Sequence, residues 1–355
     1  MKDRSPVRPL KRARILLVLS LSIAPVFAAD DAPPLPSYGV DLAQTSVSGL
    51  SSGGFMTTQF HTAFSSTLMG AGVVAGGPFY CAGSSASNSY LENATTICMN
   101  PFGSGPDSRK LLARAKEFAQ KGEIDDLGNL KDDRIYLFSG STDKTVTTKV
   151  VDQTAAFYKM VEVPAENIRY VKNISAGHAI ITDNSDDGAC AVTAPPFIND
   201  CDFIQAHEIL KHIYGNLDPP ADTLSGKIIK FNQREFIDSD RSSMSAIAYA
   251  YVPKSCETET CRVHVAFHGC EQGAAKIGDI YYTTTGYNEL ADTNTLIVLY
   301  PQVEPSDPIP YNPKGCWDFW GYSSPDQMYP NFYSKQAPQM AAVMGMLKRL
   351  AEPRN

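Results

Sequence analysis

The chain has 355 residues, of which 43% are hydrophobic and 19% charged, and this composition excludes the disordered and fibrous classes of protein. Its formal charge of −7 at pH 7 disfavours a nucleic-acid partner, because binding to a phosphate backbone relies on clustered lysine and arginine. The length allows either two domains of about 150 residues or one larger α/β domain.

Residues 1–28 are predicted to be a signal peptide. Six basic residues precede an apolar run from Ile15 to Phe27, and small residues allow cleavage after Ala28. A membrane anchor is the alternative, but the run is shorter than the ~20 residues that a spanning helix requires. Cleavage would remove six basic residues and one acid, so the charge of −7 would become −12. The mature chain, residues 29–355, is therefore expected to be secreted or periplasmic and not bound to a membrane.

Beyond the signal peptide, short β-rich runs alternate with helical patterns, which is typical of an α/β sheet. The predicted helices cover 55–64, 205–214 and about 336–350. The predicted strands cover 44–49, 70–75, 134–138, 167–171, 227–231, 246–252, 262–267 and 295–300. No repeat and no low-complexity linker divides the mature chain, so one domain is predicted.

All eight cysteines lie in the exported part of the chain, where an even number indicates disulfides. Neighbours in sequence suggest the pairs Cys81–Cys98, Cys190–Cys201 and Cys256–Cys261, which leave Cys270 with Cys316, although one sequence cannot fix the connectivity. A zinc site is the alternative. It is disfavoured because no two cysteines have the C-x₂-C spacing that brings two thiolates to one metal.

The segment Gly49-Leu50-Ser51-Ser52-Gly53 lies between a predicted strand and a predicted helix. A nucleophilic serine on such a turn needs small residues two positions before and two after it, so that the strand and the helix can approach each other. Ser51 alone meets this condition, since Ser52 would have Leu50 at the crowded position. A plain glycine-rich turn is the alternative interpretation.

A serine nucleophile needs a histidine base, and the histidine needs a carboxylate that holds its tautomer and orientation. In α/β-hydrolases the chain order is serine, acid, histidine, each at the carboxyl end of a strand. Asp143 follows the predicted strand 134–138, and His178 follows the strand 167–171. Asp132 and Asp133 precede their strand and therefore fall at the wrong end of the sheet.

The other histidines are predicted to have no catalytic role. His61 and His264 are expected to be structural residues of a helix and a strand. His207 and His212 are five residues apart, which misses the i, i+4 spacing of a zinc-binding helix, so both are predicted to be surface residues. His268 is expected to shape its loop and not to carry a proton.

The position of Ser51 near the start of the mature chain predicts an unusual topology. Residues 29–50 are too few for two parallel strands and their crossover, so the strands that normally precede the nucleophile must come from the second half of the chain. One of them ends in His268-Gly269-Cys270, which resembles the His-Gly oxyanion loop. The predicted fold is a circularly permuted α/β-hydrolase, a single domain with a mostly parallel central sheet.

Three segments carry a resemblance to a known family: Gly49-Leu-Ser-Ser-Gly-Gly-Phe-Met56, His268-Gly-Cys-Glu-Gln272 and Gly315-Cys-Trp-Asp-Phe-Trp-Gly-Tyr322. With this order of segments, the chain resembles the single-domain poly(3-hydroxybutyrate) depolymerases. The resemblance covers most of the mature chain, and the combination is much more specific than any one motif.

The resemblance implies a role for each of seven residues. Ser51, Asp143 and His178 would form the catalytic triad, and the backbone N–H groups of Ser52 and Cys270 would form the oxyanion hole. Trp317, with Trp320 next in preference, would line the substrate crevice, and core packing is the alternative for both rings.

The implied activity is ester hydrolysis of the polyester or its oligomers by a monomer, with neither a metal nor an organic cofactor. Two other functions stay open: a feruloyl or acetyl esterase of plant polysaccharide, and a non-catalytic polymer-binding protein.

Overall fold

The computed structural model describes residues 32–354 together with Met1. Apart from Met1, the predicted signal peptide and its cleavage site lie outside the described residues. Ala32–Asn355 form one compact unit, in agreement with the single domain that was predicted. Within the described residues, no helix is both long enough and apolar enough to span a bilayer.

Strands of the main sheet are β1 (Thr45–Leu50), β2 (Leu68–Val74), β3 (Arg134–Phe138), β4 (Ile168–Val171), β8 (Lys227–Asn232), β9 (Ile247–Val252), β10 (Arg262–Phe267) and β11 (Leu296–Tyr300). A small three-stranded sheet contains β5 (Ile180–Thr182), β6 (Gly188–Ala189) and β7 (Ile198–Asp200). All eight strands predicted from the sequence are present, with ends that differ by at most two residues.

The α-helices are α1 (Ser52–Ala63), α2 (Tyr90–Thr95), α3 (Ser108–Gln120), α4 (Thr148–Met160), α5 (Gln205–Tyr214), α6 (Ala274–Ile277), α7 (Ile280–Thr284), α8 (Tyr287–Asp292) and α9 (Pro338–Ala351). The predictions found α1, α5 and α9. The largest omissions were α3 and α4, and both are amphipathic: α3 buries Leu111, Ala115 and Phe118 on one side and exposes charged residues on the other.

The main sheet has the strand order β4-β3-β2-β1-β10-β11-β9-β8. The six strands from β4 to β11 in this order are parallel to one another, whereas β9 is antiparallel to both β11 and β8. The central strands β1, β10 and β11 are buried along almost their whole length, as parallel strands between helices must be. The sheet is therefore mostly parallel, as predicted.

Strand order also confirms the circular permutation. Although β10 lies more than 200 residues after β1 in the chain, the two strands are direct neighbours and pair from Thr45 with Val263 to Gly49 with Phe267. The loop after β10 consequently lies beside the turn after β1. The four strands from the second half of the chain complete the sheet on that side, as the short segment before Ser51 requires.

The structure contains four disulfides, and they join the cysteines that were paired from the sequence: Cys81–Cys98, Cys190–Cys201, Cys256–Cys261 and Cys270–Cys316. The described residues contain no free cysteine. The cysteines therefore form disulfides and not a zinc site, and this prediction is confirmed.

Candidate active site

The carboxyl ends of β1, β2, β3 and β4 lie at one edge of the sheet because these strands are parallel neighbours. Ser51 directly follows β1, Asp143 lies in the loop after β3, and His178 lies in the loop after β4. Backbone hydrogen bonds join the last two loops, from the N–H of Thr142 to the carbonyl of Ala176 at 3.2 Å. The topology thus brings the three predicted residues to the edge where α/β proteins bind their ligands.

Ser51 occupies a strained turn between β1 and α1. Its φ of 58° and ψ of −122° lie where non-glycine residues are rarely found, and its N–H donates to the carbonyl of Val74 at 3.0 Å. A Cβ on Gly49 would lie 2.5 Å from the carbonyl oxygen of Gly53, and one on Gly53 would lie 2.4 Å from that of Phe267. Both glycines are therefore required by close backbone contact, for the reason that the sequence motif predicted.

Asp143 and His178 form a buried pair. The Nδ1 atom of His178 lies 2.7 Å from Oδ2 of Asp143, and Oδ1 of the same carboxylate accepts from the N–H groups of Thr145 at 2.7 Å and Val146 at 3.0 Å. The backbone N–H of His178 donates to Oγ1 of Thr193 at 2.9 Å. Since a carboxylate accepts at Nδ1, the proton lies on that nitrogen, and Nε2 is the nitrogen that can accept a proton from a nucleophile.

The loop that follows β10 lies against the nucleophile turn. A Cβ on Gly269 would be 3.5 Å from Cβ of Ser51 and 3.3 Å from the carbonyl of Leu50. Ser52 is the first residue of α1, whose leading N–H groups have no partner inside the helix. Ser51 therefore lies between Ser52, its neighbour in the chain, and Gly269, the residue that precedes Cys270.

Trp317 and Trp320 lie in different environments. Trp317 is 0% exposed, with its ring centroid 4.9 Å from that of Phe267 and 5.6 Å from that of His268. This position fits the core-packing alternative and does not support direct contact with a substrate. Trp320 is half-buried and lines an apolar cavity of about 220 Å³ together with Cys270 and Tyr311.

Two of the remaining histidines, His61 and His264, are held by internal side-chain hydrogen bonds. His61 lies between Asp133, at 3.0 Å, and Tyr158, at 3.1 Å, and is structural as predicted. His264 contacts two serine hydroxyls of β1 and is a core residue, also as predicted. The prediction that His207 is a surface residue was wrong: it is 7% exposed, on the buried side of α5 with Ala206 and Leu210.

His264 and His268 make folding sensitive to acid. Burial lowers the pKa of His264 to about 3 and that of His268 to about 4. Both values lie below the ~6.5 of an unfolded histidine, so the unfolded chain takes up protons first as the pH falls, and stability is lost. We expect each histidine to contribute a slope of about 1 kcal/mol per pH unit between about pH 5 and 6.

This slope can be measured by urea unfolding of the wild type and of His264→Gln across that pH range. The free energy of unfolding of the variant should depend less steeply on pH, by the contribution of one histidine, because a glutamine side chain cannot titrate. The m-value should be unchanged. Equal slopes for the two proteins would contradict the assignment of a buried neutral imidazole at this position.

Comparison with known proteins identifies the family. No protein-family model matches the chain. The chain is 35% identical over 353 residues to a polyhydroxybutyrate depolymerase of Talaromyces funiculosus, an alignment that covers 95% of this chain and 97% of the relative. The chain belongs to the polyhydroxybutyrate depolymerase family. This confirms the resemblance that the three sequence segments indicated.

A second curated relative and two solved structures agree with this family. The chain is 41% identical to a poly(3-hydroxybutyrate) depolymerase of Delftia acidovorans over 338 residues, which are 94% of this chain but 64% of that protein. A serine-to-alanine variant of PHB depolymerase, complexed with R3HB trimer, has a TM-score of 0.78, 34% identity, and coverage of 90% of this chain and 98% of that one. The PHB depolymerase from Penicillium funiculosum gives the same TM-score and coverage at 35% identity.

Sequence analysis missed two polar residues that support these loops. Asp318 is buried, and its carboxylate accepts from the N–H groups of Trp320, at 3.1 Å, and Gly321, at 2.6 Å. Gln272 is buried in the loop that carries Cys270. Both lie inside segments that carried the family resemblance, and their position beside the assigned residues was the available indication of a role.

Proposed function

We propose that this protein is a serine esterase that hydrolyses poly(3-hydroxybutyrate) or its oligomers, with Ser51, His178 and Asp143 as its catalytic triad. The observation that carries the proposal is the buried contact between His178 and Asp143, 2.7 Å long, at the edge of the sheet that also carries the strained Ser51 turn. The substrate class is supported by family membership and by the solved relative complexed with R3HB trimer.

The proposed mechanism uses the hydrogen bond between His178 and Asp143, which leaves Nε2 of the imidazole free to act as a base. Nε2 of His178 takes the proton of Ser51 as its Oγ attacks the ester carbonyl, and the imidazolium that forms is stabilised by Asp143. The N–H groups of Ser52 and Cys270 bind the oxyanion, and each such donor lowers the barrier by about 3 kcal/mol. His178 then gives its proton to the leaving alcohol, and water hydrolyses the acyl-enzyme by the same sequence of steps.

Substrate binding is assigned to the apolar cavity beside the oxyanion loop. Trp320 lies on its wall, together with Leu91 and Tyr311, and all three also line a second cavity of about 360 Å³. A hydroxybutyrate chain is uncharged and carries a methyl group on each unit, so apolar walls suit it. Trp320 is therefore proposed as the substrate-binding tryptophan, and Trp317 as its support in the core.

Exposed apolar side chains near these cavities provide a means of adsorption to solid polyester. They are Leu91, Ile309, Tyr311, Met328 and Tyr329, which are 49% to 78% exposed. Exposed apolar patches of this kind mark interaction surfaces. Three other aromatic residues of the second half of the chain, Tyr281, Tyr287 and Phe332, are at most 1% exposed and belong to the core.

Replacing Met328 and Tyr329 together by serine should reduce hydrolysis of polyester film about tenfold while leaving hydrolysis of a soluble hydroxybutyrate trimer within about twofold, because both side chains are exposed and line neither cavity, so that adsorption is lost and the chemistry is not. Leu224→Ser is the matched control, since this exposed residue precedes β8 at the opposite edge of the sheet. Equal loss on film and trimer would mean that Met328 and Tyr329 shape the active site itself.

The activity is tested by mass analysis of the products that the purified protein releases from poly(3-hydroxybutyrate) film. Hydroxybutyrate monomers and short oligomers are expected. Release of ferulate or acetate from plant polysaccharide, without products from the film, would instead favour the carbohydrate esterase.

The location, oligomeric state and partner of the enzyme are also proposed: a secreted or periplasmic monomer that acts on a polyester. Four disulfides support an oxidising compartment outside the cytoplasm. All proposed catalytic residues come from one chain, so a monomer is sufficient for activity. The acidic charge fits a neutral polyester partner better than a nucleic acid.

A further inference from the structure

Gln272 lies in the loop after β10 and is 0% exposed. Its carboxamide makes three hydrogen bonds. Oε1 accepts from the N–H of Gly269 at 2.7 Å, and Nε2 donates to the carbonyls of Pro196 at 2.9 Å and Phe197 at 3.0 Å. These contacts identify the oxygen and the nitrogen of the side-chain amide. The reversed orientation would place the NH₂ group against an N–H and the oxygen against two carbonyls.

The first of these bonds holds the N–H of Gly269, and His268 holds its carbonyl. The N–H of Val303 donates to Nε2 of His268 at 3.1 Å, so the ring proton lies on Nδ1, which donates to the carbonyl of Gly269 at 2.7 Å. That carbonyl shares a peptide unit with the N–H of Cys270. Because C=O and N–H point in opposite directions across a trans peptide, holding the carbonyl also sets the direction of the N–H.

The other two bonds connect the loop to the segment that carries His178. The carbonyl of Phe197 accepts from Nε2 of Gln272 and also from the N–H of Ile180 at 3.0 Å. Ile180 begins β5, two residues after His178. One carboxamide therefore joins the N–H of Gly269, the residue before Cys270, to the backbone that positions the histidine.

We propose that Gln272 is a positioning residue for ester hydrolysis, which holds the Cys270 N–H and the His178 segment in register with each other. It does not touch the substrate. This inference rests on the proposed function, in which that N–H binds the oxyanion.

We expect substitution of Gln272 to weaken stabilisation of the transition state without weakening substrate binding. Gln272→Met keeps the length of the side chain and removes all three hydrogen bonds. We expect kcat on a soluble chromogenic ester to fall about 10- to 100-fold, less than the ~10²–10³ for loss of an oxyanion donor itself, with KM changed less than about threefold.

Gln233→Met is a matched control. Gln233 is also 0% exposed, its Oε1 accepts from the N–H of Gln302 at 2.9 Å, and its Nε2 donates to the carbonyls of Ser245 at 2.7 Å and Gln302 at 2.9 Å. It thus makes the same three kinds of bond without contacting the oxyanion loop. Both variants should lose similar Tm, whereas only Gln272→Met should lose kcat.

Gln272→Glu provides a second test that does not depend on the first variant folding. The carboxylate can still accept from Gly269 but cannot donate to Pro196 or Phe197, so kcat should again fall while KM is kept. Wild-type kcat in either folded Gln272 variant, or an equal loss of kcat in Gln233→Met, would overturn the proposal. Failure of both Gln272 variants to fold would also contradict it, since the carboxamide would then be required for folding. An inactive wild type would instead refute the proposed function.

Discussion

Ser51→Ala and His178→Ala should each lower turnover of a soluble hydroxybutyrate ester by about 10⁴- to 10⁶-fold, and the double variant should be little worse than either. The serine is the nucleophile and the histidine is its base. Once either is lost, the other no longer contributes to catalysis, so removing both costs little more. The measurement is steady-state hydrolysis of the R3HB trimer by each folded variant, with circular dichroism to verify the fold.

Ser52→Ala is the control for this pair. Ser52 is proposed to act through its backbone N–H, and its hydroxyl makes a single weak contact, accepting from the N–H of Trp317 at 3.3 Å. Alanine keeps the N–H, so activity should fall less than about tenfold. If Ser52→Ala were as damaging as Ser51→Ala, the nucleophile would have been assigned to the wrong serine.

Asp143→Asn should lower kcat by about 10⁴-fold without unfolding the protein. Oδ1 of Asp143 accepts from two backbone N–H groups, so the oxygen of the new amide must stay there and its NH₂ must face Nδ1 of His178. The imidazole would then carry its proton on Nε2 and could not accept one from Ser51. The measurement is kcat together with the free energy of unfolding.

The chain offers a second buried histidine–aspartate pair as a control. His61 and Asp133 are 3.0 Å apart, on α1 and just before β3, away from the carboxyl edge of the sheet. Asp133→Asn should therefore reduce stability and leave kcat of the folded enzyme within about twofold. A comparable loss of kcat in both variants would show that the effect of Asp143→Asn is structural.

Much of the sheet could be predicted because most of its strands are short runs rich in apolar, aromatic and β-branched residues. The strand 134–138, for example, is an uninterrupted RIYLF run, and the prediction matches β3 residue for residue. The small sheet could not be found this way. Its strands β5, β6 and β7 contain two or three residues, too few for any periodicity, and the Cys190–Cys201 disulfide joins two of its segments.

The candidate site was predictable where the chemistry requires particular residue types at particular strand ends, as for Ser51, Asp143 and His178. It was less predictable where packing decides. Sequence alone cannot tell that the ring of Trp317 lies against Phe267 while Trp320, three residues later, reaches a cavity. The same holds for His207, which the register of α5 places on the buried face. Gln272 was missed because its three partners come from distant parts of the chain or from a backbone turn.

The central claim is that Ser51 is the nucleophile, and covalent labelling tests it most directly. The wild type would be inactivated with an organophosphonate ester, digested, and mapped by mass spectrometry. We predict a single phosphonyl adduct on Ser51, formed in step with the loss of activity and absent from Ser51→Ala and His178→Ala. An adduct on another residue, or full loss of activity with Ser51 unmodified, would contradict the assignment.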